Sequence, residues 1–133
     1  RAAGVHIVRR PLDQPTVRDP VASAKMLALH AAWQSALRGV APEDRAMLAR
    51  SPNFRGIAMQ GAGDVDQRLL ELLDHLPVGA TEVMMHPGYD DAVLASLDPY
   101  RSEREREVAA LCSGAVGARL AQGDIRLVRF DEM

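Results

Sequence analysis

The chain has 133 residues, of which 47% are apolar and 26% charged, the size and balance of one globular domain with a real core. A net charge of -2 gives no global pull toward nucleic acid or an anionic membrane, and a single cysteine, Cys112, excludes an internal disulfide framework and fits a reducing compartment. No apolar run approaches the roughly 18 residues of a spanning helix, so we expect a cytoplasmic protein with no membrane span and no signal peptide. The first residue is Arg1 rather than methionine, which we read as a processed chain or a fragment.

In chain order, Val5-His6-Ile7-Val8-Arg9 reads as a β-branched strand closed by Arg10-Pro11. The prolines from Pro11 to Pro20 mark a loop. Residues 21–38 read as a helix with Met26, Leu29, Trp33 and Leu37 at helical spacing and Gly39 as its C-cap. Pro42-Glu43-Asp44 starts a shorter helix through about Arg50. A second strand is expected over Phe54–Gln60. After it, Asp64 or Asp66 caps a helix whose stripe is Leu69, Leu70, Leu72, Leu73 and Leu76.

A third strand over 81–86 ends in His86, followed by the turn Pro87-Gly88 and a short helix capped by Asp90 or Asp91. A helix from Ser102 is expected to turn Val108, Leu111 and Cys112 inward. Its polar start, Arg101–Glu107, reads as a solvated face with i,i+4 pairs. Residues 114–121 form a last helix, and Ile125–Phe130 a last strand. Strands that alternate with helices argue for a mainly parallel sheet carrying helices. In such folds sites gather at the C-terminal ends of strands, where Arg9, Gln60 and His86 all fall.

The candidate chemistry is sparse. His6, His30 and His75 read as surface or satisfied histidines, whereas His86 ends a strand before a turn that exposes its ring. Glu82 shares a strand face with Met84 and His86. If buried it needs a cationic partner, for which Arg9 and Arg126 are the candidates. No metal motif is present, Gly61-Ala62-Gly63 lacks the rest of a dinucleotide fingerprint, Cys112 reads as core, and Ser96 and Ser102 lack a nucleophile-elbow context.

The segment Phe54-Arg55-Gly56…Gly61, then Leu73…Leu76-Pro77-Val78-Gly79-Ala80-Thr81-Glu82-Val83-Met84-Met85-His86-Pro87-Gly88-Tyr89…Asp91, resembles the YdjC/ChbG-type carbohydrate (chitooligosaccharide) deacetylases. Tyr100-Arg101…Arg104…Glu107…Leu111 and the upstream Gly4-Val5…Val8-Arg9-Arg10-Pro11 are similar to further segments of that family. The resemblance implies an α/β fold, about half of a distorted (β/α) barrel, with 1–133 as the C-terminal half of one deacetylase domain. It implies removal of N-acetyl groups from amino sugars with a divalent metal (Mg or Zn), the sugar being a chitooligosaccharide or one attached to a lipid.

It further implies His86 as proton donor or substrate contact and Arg9 as an acid-orienting or substrate-binding catalytic residue, with Glu82, Tyr89 and Arg104 supporting. The family's metal ligands, an aspartate in an Asp-Asp-Phe-Gly-like strand end and two histidines, have no counterpart in residues 1–133. On this reading the isolated chain is inactive, and it pairs with the missing N-terminal half or self-associates. The alternatives are a non-catalytic binding or assembly domain derived from that fold, and an unrelated small α/β protein.

Overall fold

The structure, a computed structural model, describes residues 8–14, 19–48 and 51–132. Among them are six α-helices, two 3-10 turns and one parallel two-stranded sheet. No described helix is long and apolar enough to cross a membrane. The contacts group into two compact units, one holding the chain up to Ala58 with Pro77–Met84, the other holding Met59–Leu76 with Met85–Glu132.

In the first unit, α1 (Pro20–Leu37) starts where Asp19 accepts the Ala22 N–H at 2.8 Å and Pro20 opens the first turn. It buries Ala22 and Met26, while Trp33 and Leu37 are half-buried and Leu29 is exposed, so the inward stripe is narrower than its spacing predicts. Its end is closed by Arg38 rather than by Gly39. The guanidinium of Arg45, in α2 (Pro42–Leu48), donates to the carbonyls of Leu37 at 2.9 Å and Val40 at 3.1 Å.

β1 (Asn53–Arg55) pairs in parallel with β2 (Thr81–Val83), in the register Asn53↔Thr81, Phe54↔Glu82 and Arg55↔Val83. The expected parallel pairing is therefore present, but both strands are shorter than predicted. β1 stops because the Asp13 carboxylate, itself buried, takes the N–H groups of Gly56 at 2.9 Å and Ile57 at 3.0 Å. The chain then turns into a 3-10 helix, Ile57–Met59, and Gln60 is an exposed residue after that turn instead of a strand end. Gly56 has φ 126°, and a Cβ there would lie 2.3 Å from the Met84 carbonyl oxygen, so the sheet closes at this point only over glycine. Of the predicted strand 5–9, residues 5–7 lie outside those described, and Val8 and Arg9 are not in a strand.

In the second unit, α3 (Val65–Asp74) buries Val65, Leu69 and Leu73 and packs on α5 (Ser102–Leu111) and α6 (Gly114–Leu120). Asp64 stands at its N-cap position without a side-chain cap bond. Asp91 caps α4 (Ala92–Leu97) through the Leu94 N–H at 2.8 Å, and Ser113 caps α6 through the Val116 N–H at 3.2 Å. Arg119 on α6 pins the end of α3, reaching Asp74 at 2.6 Å and the Leu73 carbonyl at 2.9 Å, and it also holds Asp124 at 2.7 Å.

Two expectations are corrected here. α5 turns Glu107 and Ala110 inward and leaves Leu111 and Cys112 exposed, a rotation of about 100° from the predicted face, the angle of one residue in a helix. The apolar alternation of Ile125–Phe130 forms no strand. It has no ladder partner among the described residues, Leu127 is exposed, and the segment ends in a 3-10 turn, Phe130–Glu132.

Candidate active site

In the first unit, the Phe54↔Glu82 register sets both side chains on one sheet face. Arg9 meets them there. Its guanidinium pairs with Glu82 and lies 5.9 Å from the centre of the Phe54 ring. Of the two cations considered for Glu82, the partner is Arg9. The Glu82 side chain is only 9% exposed against 56% for Arg9, and its Oε2 is buried with no hydrogen-bond partner among the described residues. The pair is thus lopsided, a nearly buried carboxylate met by a half-solvated cation.

In the second unit, the site is built on the loop that leaves β2. His86 is half-buried, and its peptide is held at both ends. Its N–H donates to the Glu107 carboxylate, and its carbonyl accepts from Arg104 Nη1 at 3.3 Å. The same Arg104 donates to the Tyr100 carbonyl at 2.8 Å and pairs with Asp98 at 2.6 Å, and its guanidinium stands 5.5 Å from the centre of the Tyr100 ring. Tyr100 in turn presents its ring to the His86 imidazole, edge to face, at 5.8 Å and 72°.

Among the described residues neither ring nitrogen of His86 is engaged in a hydrogen bond. His30 and His75 differ, each with Nδ1 bonded to a carbonyl four residues back on its own helix, at 3.0 and 2.8 Å. Further along the loop, Asp90 is bound by Arg101 at 2.7 Å and its N–H donates to Glu105 at 3.0 Å, while Tyr89 is exposed.

The electrostatics of this cluster are ordered by hydrogen bonds. Asp98 is held below the usual carboxylate range, first by the Tyr100 N–H at 2.9 Å and then by Arg104. The Tyr100 hydroxyl donates to Glu107 at 2.6 Å and accepts from the Gly61 N–H at 2.9 Å. Burial and then the Glu107 carboxylate push its pKa up to about 12, against the pull of Gly61.

Glu107 is the residue that sequence reasoning missed. It was read as part of a solvated charge run, yet it is 2% exposed. It lies one helical turn from Ala110 and from Arg104, on the stripe that faces the loop, and only the structure discloses which stripe that is. A separate cavity of about 230 Å³, lined by Gly63, Val65, Asp66, Arg106, Ala109 and Ser113 among others, contains none of the expected site residues.

The geometry has now placed every expected residue. Arg9 and Glu82 are brought together in one unit, His86 and Arg104 in the other. The family described as YdjC-like protein matches residues 1–122. The chain belongs to the YdjC-like family. A carbohydrate deacetylase of Geobacillus stearothermophilus is 36% identical to this YdjC-like chain over 73 residues, 54% of the chain and 30% of that protein. A carbohydrate deacetylase of Vibrio vulnificus is 34% identical over 73 residues, 55% of the chain and 28% of that protein. Each match therefore spans less than a third of the curated relative's length. No solved structure matches.

Such kinship is consistent with a divalent metal cofactor. Among the described residues no three of His, Cys, Asp and Glu come together to hold a metal ion. The acids around His86 are already committed: Glu107 to two donors, Asp98 to Arg104 and Tyr100, and Asp90 to Arg101. The described residues do not fit a metal cage.

Proposed function

We propose that this chain is the C-terminal half of a carbohydrate deacetylase domain, one wall of a distorted (β/α) barrel that removes N-acetyl groups from amino sugars. The observation that carries the reading is His86: its backbone N–H and C=O are both anchored, while among the described residues neither ring nitrogen is engaged in a hydrogen bond, which leaves the imidazole to meet a substrate. In the reaction, the oxygen of water adds to the amide carbonyl carbon and the C–N bond breaks. The nitrogen leaves with the bonding pair and takes a proton, giving acetate and a free amine.

His86 is the proton donor to that nitrogen, or holds the sugar beside it. Arg9 is the second catalytic residue, fixed by Glu82, and Tyr89 and Arg104 are supporting residues. Metal-bound water is the chemistry a divalent ion supplies in amide hydrolysis. Any such ion would be held by residues outside those described, and no step here is routed through it.

The test is acetate release from an N-acetylated chitooligosaccharide by the complete protein that carries this chain. His86→Ala should lower turnover by about 10²- to 10⁴-fold, the usual worth of a positioned general acid. Binding of the sugar with no acetate release by the unaltered protein would favour a non-catalytic domain built on the same fold. We also expect the 133-residue chain alone to release no acetate. Sheet edges left open by half a barrel should make it pair with the remaining half or with itself, as light scattering would detect.

A further inference from the structure

We propose that Glu107 is a positioning residue for His86, acting on its backbone directly and on its imidazole through Tyr100. The proposal rests on the reading of His86 as the working histidine.

Glu107 is 2% exposed on α5, and both of its named contacts are donors. One is the His86 N–H and the other the Tyr100 hydroxyl, at 2.6 Å. A carboxylate has an acceptor on each oxygen and satisfies both. The hydroxyl has a second anchor, the Gly61 N–H at 2.9 Å, so the tyrosine ring is fixed at its far end. That fixed ring is the one the imidazole packs against, at 5.8 Å between centroids and 72° between planes.

Arg104 completes the clamp on the following peptide group, through the His86 carbonyl, and also lies over the same tyrosine ring. The loop has little reason of its own to hold this shape. It forms no ladder beyond Met84, and Pro87 has no N–H to give. The position of the His86 ring is therefore set by α5 and Tyr100, and the buried carboxylate, like Arg104, bears on both restraints.

A carboxamide of the same shape cannot replace it. Glu107→Gln keeps one acceptor and turns an NH₂ toward the other donor, so either the His86 N–H or the Tyr100 hydroxyl loses its partner. Tyr100→Phe keeps the ring and removes only the link to Glu107 and Gly61. Arg119→Ala serves as the control, since it cuts the pin between α6 and α3 and touches nothing at His86.

Each variant is made in the complete protein. Thermal stability, the kcat and KM of acetate release, and the His86 ring signals in a two-dimensional proton–carbon NMR spectrum are recorded. His86→Ala assigns those signals. Glu107→Gln should move the His86 signals and lower kcat by about 10²-fold, the cost of misplacing a catalytic group by about 1 Å, with KM held within about two-fold. Tyr100→Phe should move the same signals and lower kcat by about ten-fold. Arg119→Ala should lower stability and leave both the signals and kcat in place.

The proposal is overturned if Glu107→Gln and Tyr100→Phe fold and leave the His86 signals unmoved. It is also overturned if their loss of activity only tracks loss of folded protein, as read against Arg119→Ala. If Glu107→Gln does not fold, Tyr100→Phe decides alone. Should His86→Ala keep full turnover, the functional reading fails, while displacement of the His86 signals still judges the positioning.

Discussion

The two candidate regions hold their residues by different physics. Around Glu82 the hold is charge: a nearly buried carboxylate meets a half-solvated guanidinium, and one of its oxygens has no hydrogen-bond partner among the described residues. Around His86 the hold is hydrogen bonding to the backbone, and the side chain is spared. Glu107 and Arg104 satisfy the His86 N–H and C=O, and among the described residues the imidazole nitrogens make no hydrogen bond. A charge pair orients a side chain by using it up, whereas a clamped peptide presents a side chain that has chemistry left to do. This contrast makes His86 the stronger candidate of the two.

The contrast is sharpest at two glycines. Gly56→Ala should cost more than about 3 kcal/mol, because the backbone is left-handed there and the new Cβ would meet the Met84 carbonyl oxygen, a backbone atom that cannot step aside. Gly88→Ala should stay within about 0.5 kcal/mol, since its Cβ would meet the Arg104 side chain at ordinary contact distances, Cδ at 3.5 Å and Cβ at 3.8 Å. Urea unfolding of both variants measures the difference, and equal costs would mean that the β1–β2 end is not closed over Gly56 as described.

A smaller effect is expected at the ion pair. Arg9→Met alone should cost about 2 kcal/mol, less than for a fully buried pair because water can reach part of the site. Adding Glu82→Leu to Arg9→Met should recover most of that loss, because no uncompensated buried charge remains. A double variant less stable than the single one would show that Glu82 is stabilised by something other than Arg9.

What the sequence made legible follows from this. The helices were readable because their signals are local: Asp91 is one of the two cap candidates for its helix, and the leucines of α3 repeat at helical spacing, whereas the caps at Asp19 and Ser113 emerged only in the structure. The strands were over-read because their ends depend on distant groups. Asp13, more than forty residues away in sequence, takes the N–H groups that would have continued β1. Ile125–Phe130 has the pattern of a strand without a described neighbour to pair with. The Arg9–Glu82 pair was legible from the need of a buried acid for a cation, whereas His86, expected at a strand end with an exposed ring, is half-buried and lies three residues past the end of β2. Glu107 was not legible, because a glutamate in an alternating charged run looks solvated until the loop it faces is known.

The smallest effect is a pH dependence at Tyr100. Its pKa is near 10 in an unfolded chain and is raised to about 12 here, so the folded protein holds the phenolic proton more tightly. That contribution to stability is complete below pH 10 and is lost as pH rises through about 12. Tyr100→Phe should flatten the fall in unfolding midpoint between pH 9 and 11.5, and an unchanged slope would mean that neither burial nor Glu107 raises the phenol pKa.

The central claim, that His86 gives the proton to the departing amine, is tested most directly by chemical rescue. In the complete protein, His86→Ala should lose its acetate release and regain part of it on addition of free imidazole, in proportion to the imidazolium present. His86→Ala releasing acetate as fast as the unaltered protein, with or without imidazole, would contradict the account.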